Sequence, residues 1–194
     1  MGTHVVFGEL LAEARRAITS HDAMREFAPF PDDIASQAVT PHLPPCAGWL
    51  ERETGLVSEA YPKLLATVRA AGPVAHWLET YADTDIGADF MERFGCYPII
   101  GPNGPYASET YRLWMVFMPA RLDYPWHHHP AEEIYFIVAG SAVFRKTGAE
   151  DIVLRSGDTS FHASSRSHAM ETLDSPVLCL VAWRNEFETP PVLT

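Results

Sequence analysis

Over the first ninety residues the apolar positions recur at the spacing of helices. Between Phe7 and Ile18, the residues Leu10, Leu11, Ala14, Ala17 and Ile18 fall on one side of a 3.6-residue repeat, which predicts an amphipathic helix. A shorter helix is expected from His21 to Phe27. Pro29, Pro31, Pro41, Pro44 and Pro45 then remove backbone donors and fix φ, so this stretch is expected to be mostly irregular. Ser58 to Ala71 reads as a helix with Ser58 as its N-cap. Pro73 is placed to open another, running to about Tyr81 and turning Trp77 to one face.

After about Asp89 the period shortens. Runs of β-branched and aromatic residues appear at Tyr111–Met118, Glu133–Val138, Ser141–Lys146, Asp151–Leu154, Asp158–Phe161, Ala169–Thr172 and Val177–Trp183. Breaks at Gly140, Gly148 and Ser156-Gly157 give the short, even spacing of an all-β barrel or sandwich. The chain therefore reads as an N-terminal helical segment, residues 1–88, packed on a β-barrel, residues 89–194. Trp77 and Trp114 are assigned to the core. Gly101–Pro105 is a rigid loop expected near the barrel mouth, and it lacks the form of a phosphate-binding loop.

Composition narrows the class. A chain of 194 residues, 47% hydrophobic and 20% charged, is that of an ordinary globular protein with a substantial core. Its formal charge of −11 argues against a nucleic-acid partner, which calls for basic surface. Cys46, Cys96 and Cys179 are odd in number and form no CxxC pair, so they read as buried or free thiols of a reducing compartment. No apolar run is long enough to span a bilayer, and the N-terminus lacks a signal-peptide pattern, so a cytoplasmic protein is expected.

Chemistry concentrates in Tyr124-Pro-Trp-His-His-His-Pro-Ala-Glu-Glu-Ile-Tyr135 and in His168 downstream. Side chains alternate along a strand, so His127 and His129 share a face while His128 points away. Pro130 suits a bend that brings Glu133 back across the same site, and Tyr135 shares the face of Glu133 in extended chain. His127, His129, Glu133 and His168 offer three imidazoles and a carboxylate, a set that suits Fe, Zn, Mn or Ni better than Ca or Mg. The histidine triplet is internal and flanked by Trp126 and Pro130, unlike a tag remnant. Glu132 is expected to be solvated. His162 competes as third imidazole, with a spacing that fits less well.

These residues resemble the motifs of the cupin superfamily. His127-x-His129, three residues, Glu133, six residues and Gly140 match the first, and Gly157 with His168 matches the second. Arg121, Ala163, Ser165 and Thr172 stand where the motifs have Gly, Pro, Gly and Asn, departures that touch turns more than ligands. The resemblance implies a double-stranded β-helix, and cupins commonly dimerise, so monomer or homodimer is expected.

With Tyr135, Tyr124, Trp126 and Trp183 added, the chain resembles the bacterial cupin-type dimethylsulfoniopropionate lyases, most strongly in Tyr124–Gly140 and in general layout only over the helical half. That resemblance implies a carbon–sulfur lyase with one divalent transition metal, a small sulfonium carboxylate as substrate and neither nucleic acid nor membrane as partner. It implies Tyr135 as the base, with Tyr124 and Trp183 lining a pocket for the sulfonium, a cation that aromatic faces bind. For Trp183 a core role is the competing reading. Other enzymes stay open on the same ligands: an iron cupin dioxygenase acting on a small organic substrate, or an isomerase or epimerase moving a proton through Tyr135. So does a non-catalytic small-molecule-binding cupin.

Overall fold

The structure, a computed structural model, describes residues 2–194. Helices α1 (Thr3–Ser20), α2 (Asp22–Phe27), α3 (Pro45–Arg52) and α4 (Pro62–Ala71) come first, with the short strand β1 (Ala35–Ser36) after α2. Helix α1 buries Phe7, Leu10, Ala14, Ala17 and Ile18, the face its spacing predicts. Helix α3 lies in the proline-rich stretch expected to be irregular. Pro45 opens it, where a missing N–H has no helical partner to lose.

Two expected helices are corrected. The one foreseen from Ser58 begins at Pro62, because Ser58 is engaged elsewhere. Its Oγ donates to the Val138 carbonyl at 2.6 Å and accepts the Tyr61 N–H at 3.1 Å, tying this segment to the barrel. Pro73 opens only a single 3-10 turn, Gly72–Val74. Beyond it the Trp77 N–H bonds the His42 carbonyl at 3.0 Å, which holds the chain extended. Trp77 is fully buried and its indole donates to the Gly72 carbonyl.

After α5 (Ala88–Arg93) the chain is almost all strand: β2 (Gly95–Ile100), β3 (Tyr106–Ala107), β4 (Arg112–Met118), β5 (Asp123–His128), β6 (Glu132–Lys146), β7 (Ile152–Arg155), β8 (Thr159–His162), β9 (His168–Glu171), β10 (Val177–Arg184) and β11 (Val192–Leu193). The sheet order is β1-β3-β2-β4-β10-β6-β9-β5-β11, with β7 and β8 also on β6. Strand β2 escapes the sequence pattern because Pro98 interrupts it, and the ladder to β4 slips between Pro98 and Ile100.

The two strands expected at Glu133–Val138 and Ser141–Lys146 are one. The first half of β6 pairs with β10 and β8, and the second half with β7 and β9, so it belongs to both walls of the barrel. Gly140 is the bend between the halves, with φ +74°, and a Cβ there would lie 1.8 Å from the Pro176 carbonyl oxygen. A glycine that reads as a turn is a kink inside a continuous strand.

Alternation along the central strands separates two cores. Leu113, Met115, Phe117, Ile134, Phe136, Val138, Leu178, Leu180 and Ala182 face outward and pack with the residues of α1, α3 and α4. Val116, Met118, Tyr135, Ile137, Cys179, Val181 and Trp183 face inward and fill the barrel. Both faces of these strands are apolar because one takes the helices and the other the barrel interior. The architecture is mainly β, of cupin type, with N-terminal helices on one face.

Candidate metal centre

Strand β6 places the carboxylate. Glu133 lies directly opposite Trp183 of β10 on one side and His162 of β8 on the other, so all three project inward from adjacent strands. Strand β5 delivers His127, paired across to His168 of β9, and His129 follows just past the end of β5. His127, His129, Glu133 and His168 are each 2–3% exposed. His128 is half-buried, and its Nδ1 meets the Thr194 hydroxyl at 3.0 Å. Strand alternation thus divides the triplet as the sequence predicts.

Glu133 Oε2 lies 3.1 Å from His168 Nε2 and 3.4 Å from His129 Nε2, and none of the three atoms has a hydrogen-bond partner. These are the ligand atoms of the one His/Glu group among the described residues that is close enough to hold a metal ion. Ligand bonds of about 2.0–2.1 Å around one ion place neighbouring ligand atoms roughly 3 Å apart, the spacing found here. The far nitrogens are committed: His129 Nδ1 bonds the Ala131 carbonyl at 3.0 Å and His168 Nδ1 bonds the Arg166 carbonyl at 2.8 Å. An imidazole that donates from Nδ1 to a carbonyl keeps its Nε2 lone pair for a cation. The donor set fits a divalent transition metal.

His127 shares the tautomer pattern, its Nδ1 bonding the Pro125 carbonyl at 2.8 Å, but it stands outside the group of three. Its ring lies 4.2 Å from that of His168 and stacks on Tyr124 at 4.1 Å. His162 is closer to the centre than its sequence spacing suggests. It is 1% exposed, its ring is 4.1 Å from that of His168, and neither nitrogen has a partner.

Charge follows from burial and neighbours. Burial works against the Glu133 carboxylate, yet His129 and His168 outweigh it and hold its pKa well below the carboxylate range. For His129 the order is the same, with burial overcome by Glu133, so its pKa is raised. Burial, aided by His168, pulls His127 down to about 3 and His162 well below the usual range. Burial first and the Glu133 charge second hold the Tyr135 phenol well above its ordinary value.

A cavity of ≈ 260 Å³ opens beside the centre, and Tyr124, Glu133, Tyr135 and Trp183 line it. Its volume suits a ligand of a few carbons, since drug-sized sites run to roughly 300–1,000 Å³. Tyr124 is buried and shares a 2.7 Å hydrogen bond with the Tyr81 hydroxyl. Trp183 is 8% exposed, its indole N–H donates to Glu133 Oε1 at 2.6 Å, and its ring stacks on His129 at 4.2 Å. Pro102 and Asn103 of the Gly101–Pro105 loop form part of the rim, where that loop is expected. Trp114, expected in the core, is half-buried and lines the cavity too, and another part of the wall is the segment Phe187–Pro191, latched by Arg112, which bonds Glu188 at 2.6 Å and lies over the Phe187 ring. Tyr81, Arg112 and this segment carry no motif, and only the fold brings them to the site.

Comparison with known proteins gives consistent matches. The profile of the dimethylsulfoniopropionate lyase family matches residues 19–179. The dimethylsulfoniopropionate lyase DddQ of Ruegeria pomeroyi DSS-3 is 45% identical over 192 residues, covering 99% of this chain and 96% of that protein. Its crystal structure superposes with a TM-score of 0.95, covering 97% of this chain and 96% of its own. A chain from the crystal structures of the lyases RdDddP and RnDddQII matches over 100% of both chains, with a TM-score of 0.95 and 32% identity. Among the described residues no helix is long and apolar enough to cross a membrane.

Proposed function

Because this chain belongs to the dimethylsulfoniopropionate lyase family, we propose that it cleaves dimethylsulfoniopropionate to dimethyl sulfide and acrylate at the centre described above. It is a carbon–sulfur lyase. The observation that carries the siting of the reaction is the convergence of three partnerless ligand atoms, all buried, beside a cavity that Tyr135 lines. His129, Glu133 and His168 would hold the metal, Fe, Zn, Mn or Ni, with His127 as the fourth side chain of the set. A bound divalent cation supplies a Lewis acid for charge developing on the substrate carboxylate and draws down the pKa of a neighbouring phenol.

In the reaction the Tyr135 phenolate oxygen takes a proton from the carbon next to the carboxylate. The electron pair of that C–H bond becomes the double bond of acrylate. The bond from the next carbon to sulfur breaks, and sulfur leaves with its pair as neutral dimethyl sulfide. Tyr124 and Trp183 present aromatic surface to the sulfonium, a cation without a donor, for roughly 0.5–2 kcal/mol each. The helical segment, residues 1–88, acts as a buttress to the catalytic barrel, residues 89–194, and the protein works in the cytoplasm as a monomer or homodimer.

Purified protein loaded in turn with each metal and given dimethylsulfoniopropionate should release dimethyl sulfide into the headspace. Oxygen uptake dependent on substrate would instead indicate a dioxygenase, and solvent deuterium in intact substrate an isomerase. Binding without turnover under every metal would leave a sensor.

A further inference from the structure

Trp183 stands opposite Glu133 in the β10–β6 ladder, and its indole N–H gives the only hydrogen bond to the Glu133 carboxylate among the described residues. The bond falls on Oε1, whereas Oε2 faces His129 and His168. One face of the indole is occupied by the His129 ring at 4.2 Å and 29°, and Trp114 meets it at 4.6 Å and 68°. The cross-strand neighbour on the other side, His162, makes no bond to Glu133. We infer that Trp183 is a positioning residue of the metal centre, fixing which oxygen of Glu133 faces the cation and holding the plane of His129. This inference rests on the reading of the centre as a metal site.

The terminal torsion of a glutamate is broad and nearly two-fold, so nothing intrinsic to Glu133 distinguishes its oxygens or favours one orientation of the carboxylate. A buried donor on Oε1 breaks that equivalence and leaves Oε2 as the ligand atom. Indole suits the task because it is a neutral donor with no acceptor, so it orients the carboxylate and cannot compete for the metal. Partners of this kind are worth about 10–100-fold in metal affinity when lost. A residue that only lined the substrate pocket would need neither the 2.6 Å bond nor the stack.

The test is Trp183→Phe, which keeps a ring for the stack and removes the donor. Cobalt affinity, by competition with a chelator, and the visible spectrum of the cobalt-loaded protein are compared with the parent, alongside the thermal midpoints of both metal-free proteins. The expected result is a loss of about 10–100-fold in cobalt affinity with an altered ligand-field spectrum. Parental affinity and spectrum in the variant would overturn the inference, whatever the thermal midpoint. A parent that binds no cobalt would overturn the metal-site reading and this inference with it. Should the variant not fold, the parent carries the test through ¹⁵N-labelled indoles. One of the five tryptophan N–H resonances must shift on zinc binding, and five unmoved resonances would overturn the proposal.

Discussion

At the scale of single residues the alternation of one strand decides the roles. His129→Ala or Glu133→Ala should remove stoichiometric metal and nearly all turnover, whereas His128→Ala should keep both, as read by metal analysis and product release. His128 faces Thr194, not the centre, so metal loss in that variant alone would mean the ligand set is wrongly assigned. Tyr135→Phe deletes only the phenol oxygen. Metal content should be unchanged and turnover should fall by about 10²–10⁴-fold. Near-parental turnover in that variant would move the base elsewhere. Since burial and Glu133 raise the Tyr135 phenol, the active phenolate is favoured by higher pH, and the parent's rate should climb on the alkaline side. The split of His127 and His129 from His128 was legible in the chain because it follows strand alternation, whereas His168, on a different strand, was reached only through the resemblance to the second cupin motif. The bond from Trp183 to Glu133 was not legible, since it depends on a register between strands fifty residues apart.

At the scale of elements, backbone conformation explains what the sequence pattern obscured. Gly140 looks like a turn and is a bend within β6, so the two predicted strands fuse. Gly140→Ala places a Cβ against the Pro176 carbonyl with φ at +74°, and the variant should lose several kcal/mol in denaturant unfolding, well beyond the ~1 kcal/mol typical of point mutants. Arg121 and Ser165, standing where cupin motifs carry glycine, adopt φ of +59° and +57°. Both residues therefore hold the left-handed conformation that favours glycine. Non-glycine residues in that region cost roughly 1–2 kcal/mol, partly offset by the greater unfolded freedom of glycine. Ser165→Gly should therefore be neutral to mildly stabilising, and a marked loss of thermal midpoint would contradict this. The helical half was less legible because prolines both begin helices and end them: Pro45 and Pro62 open α3 and α4, whereas Pro73 yields only a turn.

For the whole molecule, the buried imidazoles set the response to acid. His127 stays neutral in the folded state down to about pH 3, and His162 is also lowered, whereas both protonate near 6.5 once unfolded. Their folded pKa values are depressed, so the unfolded state binds more protons below about pH 6.5 and stability falls as pH falls through that window. His129, raised by Glu133, acts in the opposite sense, whereas Glu133, held well below the carboxylate range, adds to the loss at still lower pH. The chelator-treated protein should show a thermal midpoint that is level above about pH 7 and declines below about 6. A midpoint rising on acidification would contradict the assignment of His127 and His162 as neutral.

Strand β6 lies inside the sheet, between β10 and β9. Its first half is flanked by β8 and β10 and covered on both faces, by helices outside and aromatic rings inside. Amides so enclosed exchange with solvent deuterium only when the domain opens as a whole. The amides of Ile134–Ile137 should then be among the last to exchange, and Glu133 and Tyr135 belong to that slowest unit. On heating, the ion should stay bound until the barrel itself gives way, so metal release and loss of the fold should coincide in one transition.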